Sequence, residues 1–266
     1  MLLAYDDHGP GPVVVLLHGF PLNRTMWAKQ LSDVGSMYRI IAPDLRGHGK
    51  SAAPDGVYTM DEMADDVIEL LDALQLTEPV VLGGLSMGGY VAFSLIARYP
   101  ERVRGLMLLD TRAKNDSPEA AANREQLAQK VEASHSTEPV IEAMLPKLLG
   151  ESSREAHPDL AAKVQRMIEK TPTRTIAGTL RGMAIRPDRT PELGKIDVPT
   201  LVVVGEQDAI TPPDEMRSMA DQIPRSRFIT IPDAGHLAPM ENPGATNDVI
   251  LEFLSLATNS LAGVGG

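Results

Sequence analysis

Three absences limit what this chain can do. It contains no cysteine, which excludes disulfides, thiolate nucleophiles and cysteine-ligated zinc. It has fewer basic than acidic residues, 25 against 36, and the net charge of −11 disfavours binding to nucleic-acid phosphates. It has no run of 18 apolar residues and no basic segment followed by an apolar stretch near its N-terminus. We therefore expect a cytoplasmic protein without membrane or nucleic-acid partners.

Short apolar runs alternate with helix-compatible segments along most of the chain. At 266 residues, of which 43% are apolar, the chain can form one large α/β domain with an inserted subdomain. Alternating strands and helices predict a mostly parallel sheet with helices on both faces, and ligands then bind beyond the carboxyl ends of the strands. Strands are predicted at 2–5, 13–17, 39–42, 80–83, 103–109, 199–204 and 227–231.

Residues 112–190 have a different composition from the rest. They are rich in Ala, Glu, Gln, Arg and Met, and prolines divide them into three or four predicted helices. They contain 13 basic and 11 acidic residues, so the acidity of the protein lies outside this segment. We interpret them as a helical cap inserted after the sixth strand. The core then comprises 1–111 and 191–258, and 259–266 form a flexible tail.

The stretch Val80–Tyr90 carries the candidate nucleophile. An apolar, β-branched run ends at Gly83, and a helix-compatible run begins at Tyr90. Between them, Gly84-Leu-Ser86-Met-Gly88 places a glycine two residues before and two after the serine. This spacing suits a sharp strand-to-helix turn that holds the serine in a strained conformation at its tip. We therefore predict that Ser86 is a nucleophile.

A serine hydroxyl needs a base to take its proton, and the base needs a group that orients it. His236 is the predicted base, because it lies on a loop directly after a strand. Asp208 follows the preceding strand and is the predicted orienting acid. Asp110 also follows a strand and remains an alternative acid. The predicted catalytic residues are therefore Ser86, Asp208 and His236.

Acyl transfer also requires N–H donors for the oxyanion that develops on the attacked carbonyl. The backbone N–H of Met87, at the start of a predicted helix, can supply one of them. The backbone N–H of Phe20, in the turn His18-Gly19-Phe20-Pro21, can supply the second. We predict that Phe20 and Met87 form the oxyanion hole.

Two other features have structural interpretations. His18 is predicted to shape its turn, and His48 to make a structural hydrogen bond. Gly49-Lys50-Ser51 resembles the end of a nucleotide-binding phosphate loop, but Asp44 stands where that motif needs a glycine. We therefore reject a nucleotide site of that type.

Five segments together resemble the α/β-hydrolase fold superfamily. The start of the cap, Leu108-Leu-Asp-Thr-Arg112, is most similar to small bacterial carboxylesterases and 3-oxoadipate enol-lactonases. The resemblance implies the same nucleophile, base, acid and oxyanion amides as those predicted above, and it implies no cofactor or metal ion. The five segments are His18–Pro21, Pro43–Ser51, Gly84–Gly88, Gly205–Asp208 and Gly235-His236.

The expected activity is that of a carboxylesterase, which cleaves small neutral esters through an acyl-enzyme and acts as a monomer or homodimer. A lactonase of the 3-oxoadipate enol-lactonase type, using the same residues, is the alternative. A perhydrolase and a non-catalytic ligand-binding α/β-hydrolase remain open as well. Trp27 and Arg112 are the predicted substrate contacts, Arg112 because it lies just past a strand end and could hold a substrate carboxylate.

Overall fold

The computed structural model describes residues 2–259. Within this part of the chain, seven strands form one sheet in the order β1-β3-β2-β4-β5-β6-β7. All neighbouring strands are parallel except β1, which runs antiparallel to β3. The predicted mostly parallel sheet is therefore confirmed. The strands are β1 (Tyr5–His8), β2 (Val13–Leu17), β3 (Arg39–Pro43), β4 (Val80–Leu85), β5 (Val103–Leu109), β6 (Thr200–Gly205) and β7 (Ser226–Ile231).

The first strand lies later in the chain than the predicted strand at 2–5. It is an edge strand whose residues are half-buried or exposed, so it carries no apolar pattern that would reveal it. Its register pairs Asp7 with Ile41, and the side chain of Asp7 forms an ion pair with Arg39 at 2.7 Å. Polar pairing along an exposed edge, rather than apolar burial, therefore sets the position of β1.

Helices of the core cover the sheet, and α3 packs against β2, β4 and β5. No helix within residues 2–259 is long and apolar enough to cross a membrane. The helices are α1 (Ala28–Asp33), α2 (Met60–Ala73), α3 (Met87–Arg98), α4 (Pro118–Ser134), α5 (Glu138–Leu148), α6 (Glu151–Ala156), α7 (Pro158–Glu169), α8 (Thr173–Ala184), α9 (Pro213–Ala220), α10 (Ala238–Glu241) and α11 (Pro243–Asn259).

The cap consists of the five helices α4–α8, with no strand in this described segment. It follows the fifth strand rather than the sixth, because a single edge strand precedes β2 in the described chain. Helices outnumber the predicted three or four because prolines in the first turns of α4, α5 and α7 each start a new helix. The boundaries at 112 and 190 stay predictions, and residues 260–266 of the predicted tail lie outside the described residues.

Hydrogen bonds join the cap to the loops that follow β2 and β3. The hydroxyl of Thr171, between α7 and α8, donates to the carbonyl oxygen of Pro21 at 2.9 Å. The hydroxyl of Thr175, on α8, donates to the carbonyl oxygen of Gly47 at 3.0 Å. Both threonines are buried, so α8 and the end of α7 are held directly over these loops.

Candidate active site

Ser86 occupies the tight turn between β4 and α3. Its backbone has φ 53° and ψ −113°, a conformation that is strained for a residue with a side chain. A Cβ atom on Gly84 would lie 2.2 Å from the carbonyl oxygen of Gly88, and one on Gly88 would lie 2.3 Å from that of Leu17. Both glycines are therefore required for the close approach of strand and helix that presents the serine.

The structure brings Ser86, His236 and Asp208 together in one hydrogen-bonded chain. The Oγ atom of Ser86 lies 2.9 Å from Nε2 of His236. Nδ1 of the same imidazole lies 2.9 Å from Oδ2 of Asp208. With its proton on Nδ1, the ring donates to the carboxylate and leaves Nε2 able to accept the serine proton. The histidine and the aspartate are both buried.

Asp208 is held as a carboxylate by several donors. Its Oδ1 accepts the backbone N–H groups of Ile210 and Thr211 at 2.8 and 2.9 Å, and its Oδ2 accepts the hydroxyl of Thr211 at 2.5 Å. Burial acts to raise the pKa of Asp208, but His236 and the Thr211 donors outweigh it, so the pKa is lowered from its usual value. The group that orients the histidine is therefore negatively charged at neutral pH.

The alternative acid, Asp110, lies beside Asp208. Within residues 2–259, it makes no hydrogen bond to His236, whose Nδ1 is bonded to Asp208. Asp110 follows β5, and its Oδ1 accepts the N–H of Gly205 at 2.8 Å. Burial, followed by the charge of Asp208, raises the pKa of Asp110 well above its usual value. Its environment therefore favours the protonated form, which is unsuited to balancing the charge of an imidazolium.

The turn after β2 lies against the serine turn, as an oxyanion hole requires. A Cβ atom on Gly19 would lie 3.6 Å from Cβ of Ser86, so the backbone that carries Phe20 is next to the nucleophile. Within residues 2–259, the N–H groups of Phe20 and Met87 donate to no other group. Two unpaired N–H donors thus flank Ser86, and their role as oxyanion donors stays a prediction.

The two predicted substrate contacts are engaged within the protein. Trp27 is completely buried in the hydrophobic core, and its role in substrate binding stays a prediction. Arg112 donates from Nη2 to the carbonyl oxygen of Ile210, and its Nε lies 3.2 Å from Oε1 of Glu215. The structure thus uses Arg112 to tie the start of the cap to the loop that follows Asp208, instead of leaving it unpaired for a substrate carboxylate.

Glu241 is a site residue that the sequence reasoning missed. Its buried carboxylate accepts the N–H of Leu237 at 2.9 Å and the N–H of Gly150 at 2.7 Å. Leu237 directly follows His236, and Gly150 directly precedes α6 of the cap. Glu241 therefore fixes the histidine loop to the cap. Its one sequence signal is a charged residue five positions after the predicted base, in a largely apolar segment.

We expect Glu241→Ala to lower both stability and kcat/KM. The substitution leaves two buried N–H groups without an acceptor, which costs about 1–3 kcal/mol for each group in the free energy of unfolding. A displaced histidine loop lengthens the bond from His236 to Ser86, so kcat/KM falls roughly 10-fold or more. Urea unfolding and ester hydrolysis measure the two effects. Glu252→Ala, which removes a surface carboxylate paired with Arg227, is the matched control; equal losses in both variants contradict the assignment.

Two buried, neutral histidines make hydrogen bonds within the loops that follow β2 and β3. Nε2 of His18 accepts the N–H of Leu45 at 2.9 Å, and its Nδ1 donates to the carbonyl oxygen of Gly19 at 2.9 Å. Nδ1 of His48 lies 2.9 Å from the carbonyl oxygen of Arg46. Burial is the main cause that lowers the pKa of His18 to about 4 and that of His48 to about 3. The structural roles predicted for both side chains agree with these contacts.

These histidines predict a loss of stability in mild acid. In the unfolded chain both histidines have a pKa of 6.5, so they bind protons as the pH falls below that value. In the folded protein the buried rings of His18 and His48 do not accept a proton until about pH 4 and pH 3. Stability is therefore lost as the pH falls from 6.5, by about 1.4 kcal/mol per pH unit for each histidine. Urea unfolding between pH 6.5 and 5 measures the slope. His48→Gln should flatten it and the exposed-site control His157→Gln should not; an unchanged slope in His48→Gln contradicts the prediction.

The arrangement can activate a hydroxyl group for attack on a carbonyl. His236 can take the serine proton, and Asp208 can stabilise the imidazolium that results. The unpaired N–H groups of Phe20 and Met87 can donate hydrogen bonds to the oxyanion. Within residues 2–259, no group of three or more His, Asp or Glu side chains is placed to hold a metal ion. The arrangement is therefore suited to nucleophilic acyl transfer.

Comparison with known proteins agrees with this geometry. Residues 12–243 match the family described as the alpha/beta hydrolase fold. A thermophilic esterase from Thermogutta terrifontis, solved with malate bound, has 48% sequence identity and a TM-score of 0.94, over 96% of this chain and 93% of that one. 3-Oxoadipate enol-lactonase 2 of Acinetobacter baylyi is 28% identical over 90% of this chain and 87% of its own. A putative non-heme bromoperoxidase of Mycobacterium tuberculosis is 31% identical over 95% and 97%.

The relatives therefore include an esterase, a lactonase and a protein named as a peroxidase, and the chain spans most of the length of each. The family match covers most of this chain, including the strand ends that carry Ser86, Asp208 and His236. The mostly parallel sheet and the tight serine turn are those that the sequence predicted. This chain belongs to the α/β-hydrolase fold family.

Proposed function

We propose that this protein is a serine hydrolase that cleaves small neutral carboxylic esters. The hydrogen-bonded chain from Ser86 through His236 to Asp208 carries the proposal, because it activates a hydroxyl at the carboxyl edge of the sheet. The esterase from Thermogutta terrifontis, at 48% identity, supports an ester rather than another acyl substrate.

The proposed reaction proceeds through an acyl-enzyme. Oγ of Ser86 attacks the ester carbonyl while Nε2 of His236 takes its proton, and Asp208 stabilises the imidazolium. The N–H groups of Phe20 and Met87 bind the oxyanion of the tetrahedral intermediate. His236 then returns the proton to the leaving alcohol, and the acyl group remains on Ser86. Water, deprotonated by the same imidazole, attacks this ester, releases the carboxylic acid and restores the serine.

The arginines near the cap favour a neutral substrate over an anionic one. Four arginines of residues 112–190 that could hold a substrate carboxylate are already paired with carboxylates of the protein. Arg186 is almost completely buried and also stacks over the ring of Tyr90, at 4.1 Å from the ring centre. A substrate carboxylate would have to displace these partners. The pairs are Arg112 with Glu215, Arg124 and Arg186 with Asp116, and Arg181 with Glu125 and Glu132.

A lactonase of the 3-oxoadipate enol-lactonase type is the second candidate function. The relative from Acinetobacter baylyi favours it, and lactone opening would use the same serine, histidine and aspartate. The bromoperoxidase relative adds perhydrolysis as a side activity, in which hydrogen peroxide replaces water in the attack on the acyl-enzyme. The substrate preference distinguishes the two leading candidates.

The discriminating experiment compares kcat/KM for p-nitrophenyl butyrate and for 3-oxoadipate enol-lactone, with Ser86→Ala as the blank. We expect a higher value for the neutral ester, lost in the blank. A large preference for the lactone would replace the esterase with the lactonase and would imply that an arginine leaves its carboxylate partner. Turnover of neither substrate above the blank would favour a non-catalytic ligand-binding protein.

A further inference from the structure

A groove of about 350 Å³ lies between the cap and the core, and basic residues make up half of its lining. Its core wall includes Arg24, Asp44 and Lys50, from the loops after β2 and β3. Its cap wall comes from α7 and the residue that follows it, and carries Lys163, Arg166 and Lys170. Five basic residues therefore surround one groove in a protein with a net charge of −11.

The single carboxylate in the groove is already neutralised. Asp44 is buried and accepts the backbone N–H groups of Arg24 and Lys50, each at 2.8 Å, as well as the Nη1 donor of Arg24. Arg24 also forms an ion pair with Asp6 at 2.9 Å. Arg24 thus pairs with both Asp44 and Asp6, so the one carboxylate that lines the groove already has a cationic partner.

The other four side chains keep an uncompensated positive charge. Within residues 2–259, the side chains of Lys50, Lys163, Arg166 and Lys170 make no ion pair or hydrogen bond. Arg166 differs from every other arginine of the chain, because each of the others contacts a carboxylate, a carbonyl oxygen or an aromatic ring. These four exposed cations line one groove, and an anion in the groove would be attracted to all of them.

A simpler explanation accounts for only part of this cluster. Arg166 and Lys170 lie at the C-terminal end of α7, where positive charge stabilises the exposed carbonyl groups of a helix. Lys163 lies near the middle of the helix, and Lys50 belongs to the core. The helix end therefore does not explain why cations from both walls face the same groove.

We propose that this groove binds a small polyanion, with two or more negative charges on carboxylate or phosphate groups, and that the ligand bridges the cap and the core. The volume suits a small molecule rather than a macromolecule. Thr171 and Thr175 already join the cap to the same two loops, and a ligand held between Lys50 and α7 would add a further connection between them. The proposal does not depend on which acyl substrate the protein cleaves.

Isothermal titration calorimetry of the full chain at low ionic strength tests this proposal. Sodium pyrophosphate and sodium citrate are the probes, and sodium acetate is the monovalent comparison. We expect at least one polyanion to bind far more tightly than acetate, to raise the Tm, and to lose affinity steeply with added salt. Tighter binding of pyrophosphate assigns the site to phosphorylated ligands, and tighter binding of citrate assigns it to polycarboxylates.

Two double variants with the same loss of charge separate the groove from the general surface. Arg166→Gln with Lys170→Gln should weaken binding at least 10-fold, and Lys50→Gln on the opposite wall should weaken it at least 3-fold. Lys130→Gln with Lys147→Gln removes two exposed, unpaired cap lysines elsewhere and should leave Kd within 2-fold. Absence of binding by the wild-type protein, or equal Kd values in the two double variants, overturns the proposal and leaves Arg166 and Lys170 with a helix-end role alone.

Discussion

Replacement of Ser86 by alanine is expected to lower kcat for ester hydrolysis by on the order of 10⁴–10⁶, while the protein stays folded. The substitution removes the only group that the proposal places in position to form the acyl-enzyme. It leaves His236, Asp208 and the open N–H groups unchanged, so substrate binding should change little. Steady-state kinetics with p-nitrophenyl butyrate, together with circular dichroism, measure both parts of this result.

A glycine at position 86 is the matched control. Ser86→Gly should be equally inactive, but its free energy of unfolding should exceed that of Ser86→Ala by about 1 kcal/mol, because glycine adopts the observed φ of 53° without a side-chain clash. Chemical denaturation measures the difference. Activity in Ser86→Ala above roughly one hundredth of the wild-type value would show that another group is the nucleophile.

The second prediction with a large expected effect distinguishes the roles of Asp208 and Asp110, which follow the neighbouring strands β6 and β5. Asp208→Asn should lower kcat by on the order of 10³–10⁴, because a neutral amide cannot stabilise the imidazolium and can turn its own N–H toward His236. Asp110→Asn should stay within about 10-fold of wild type, because the environment of Asp110 already favours its uncharged form. Values of kcat for the two isosteric variants, measured on the same ester, make the comparison.

The opposite pattern of rates in these two variants would change the assignment of the acid. An intact rate in Asp208→Asn, with a strongly reduced rate in Asp110→Asn, would transfer the role of acid to Asp110. It would also require the imidazole to leave the 2.9 Å contact with Asp208 that the structure shows. Urea unfolding of both variants keeps loss of activity distinct from loss of the fold.

The sequence predicted those parts of the molecule that depend on strong local patterns. Parallel strands that are buried on both faces are largely apolar, so β2, β4, β5 and β6 are recognisable in the sequence as apolar runs. The residues at their carboxyl ends meet because parallel strands end at one edge, which is why Ser86 and Asp208 could be paired from positions far apart in sequence. The glycines around the serine were equally informative, since only a tight turn requires them.

Other parts depend on tertiary contacts that leave no local pattern. The strand β1 is an exposed edge, so its residues are polar and its position follows from pairing with β3. Arg112 sits at a strand end, as a ligand-binding residue would, but the partner that engages it, Glu215, comes about a hundred residues later. Glu241 acts through two backbone N–H groups, and backbone donors have no signature in sequence. The extra cap helix arises from prolines that start helices instead of only ending them.

Intact-protein mass spectrometry after treatment with a p-nitrophenyl alkylphosphonate tests the central claim most directly. Such a reagent transfers its phosphonyl group to an activated serine and releases p-nitrophenol, which leaves a stable analogue of the tetrahedral intermediate. The account predicts one adduct per chain, located on the peptide that contains Ser86, absent from Ser86→Ala and formed far more slowly by His236→Ala. An adduct on another residue, or none under conditions where the ester is hydrolysed, would contradict catalysis by an acyl-enzyme at Ser86.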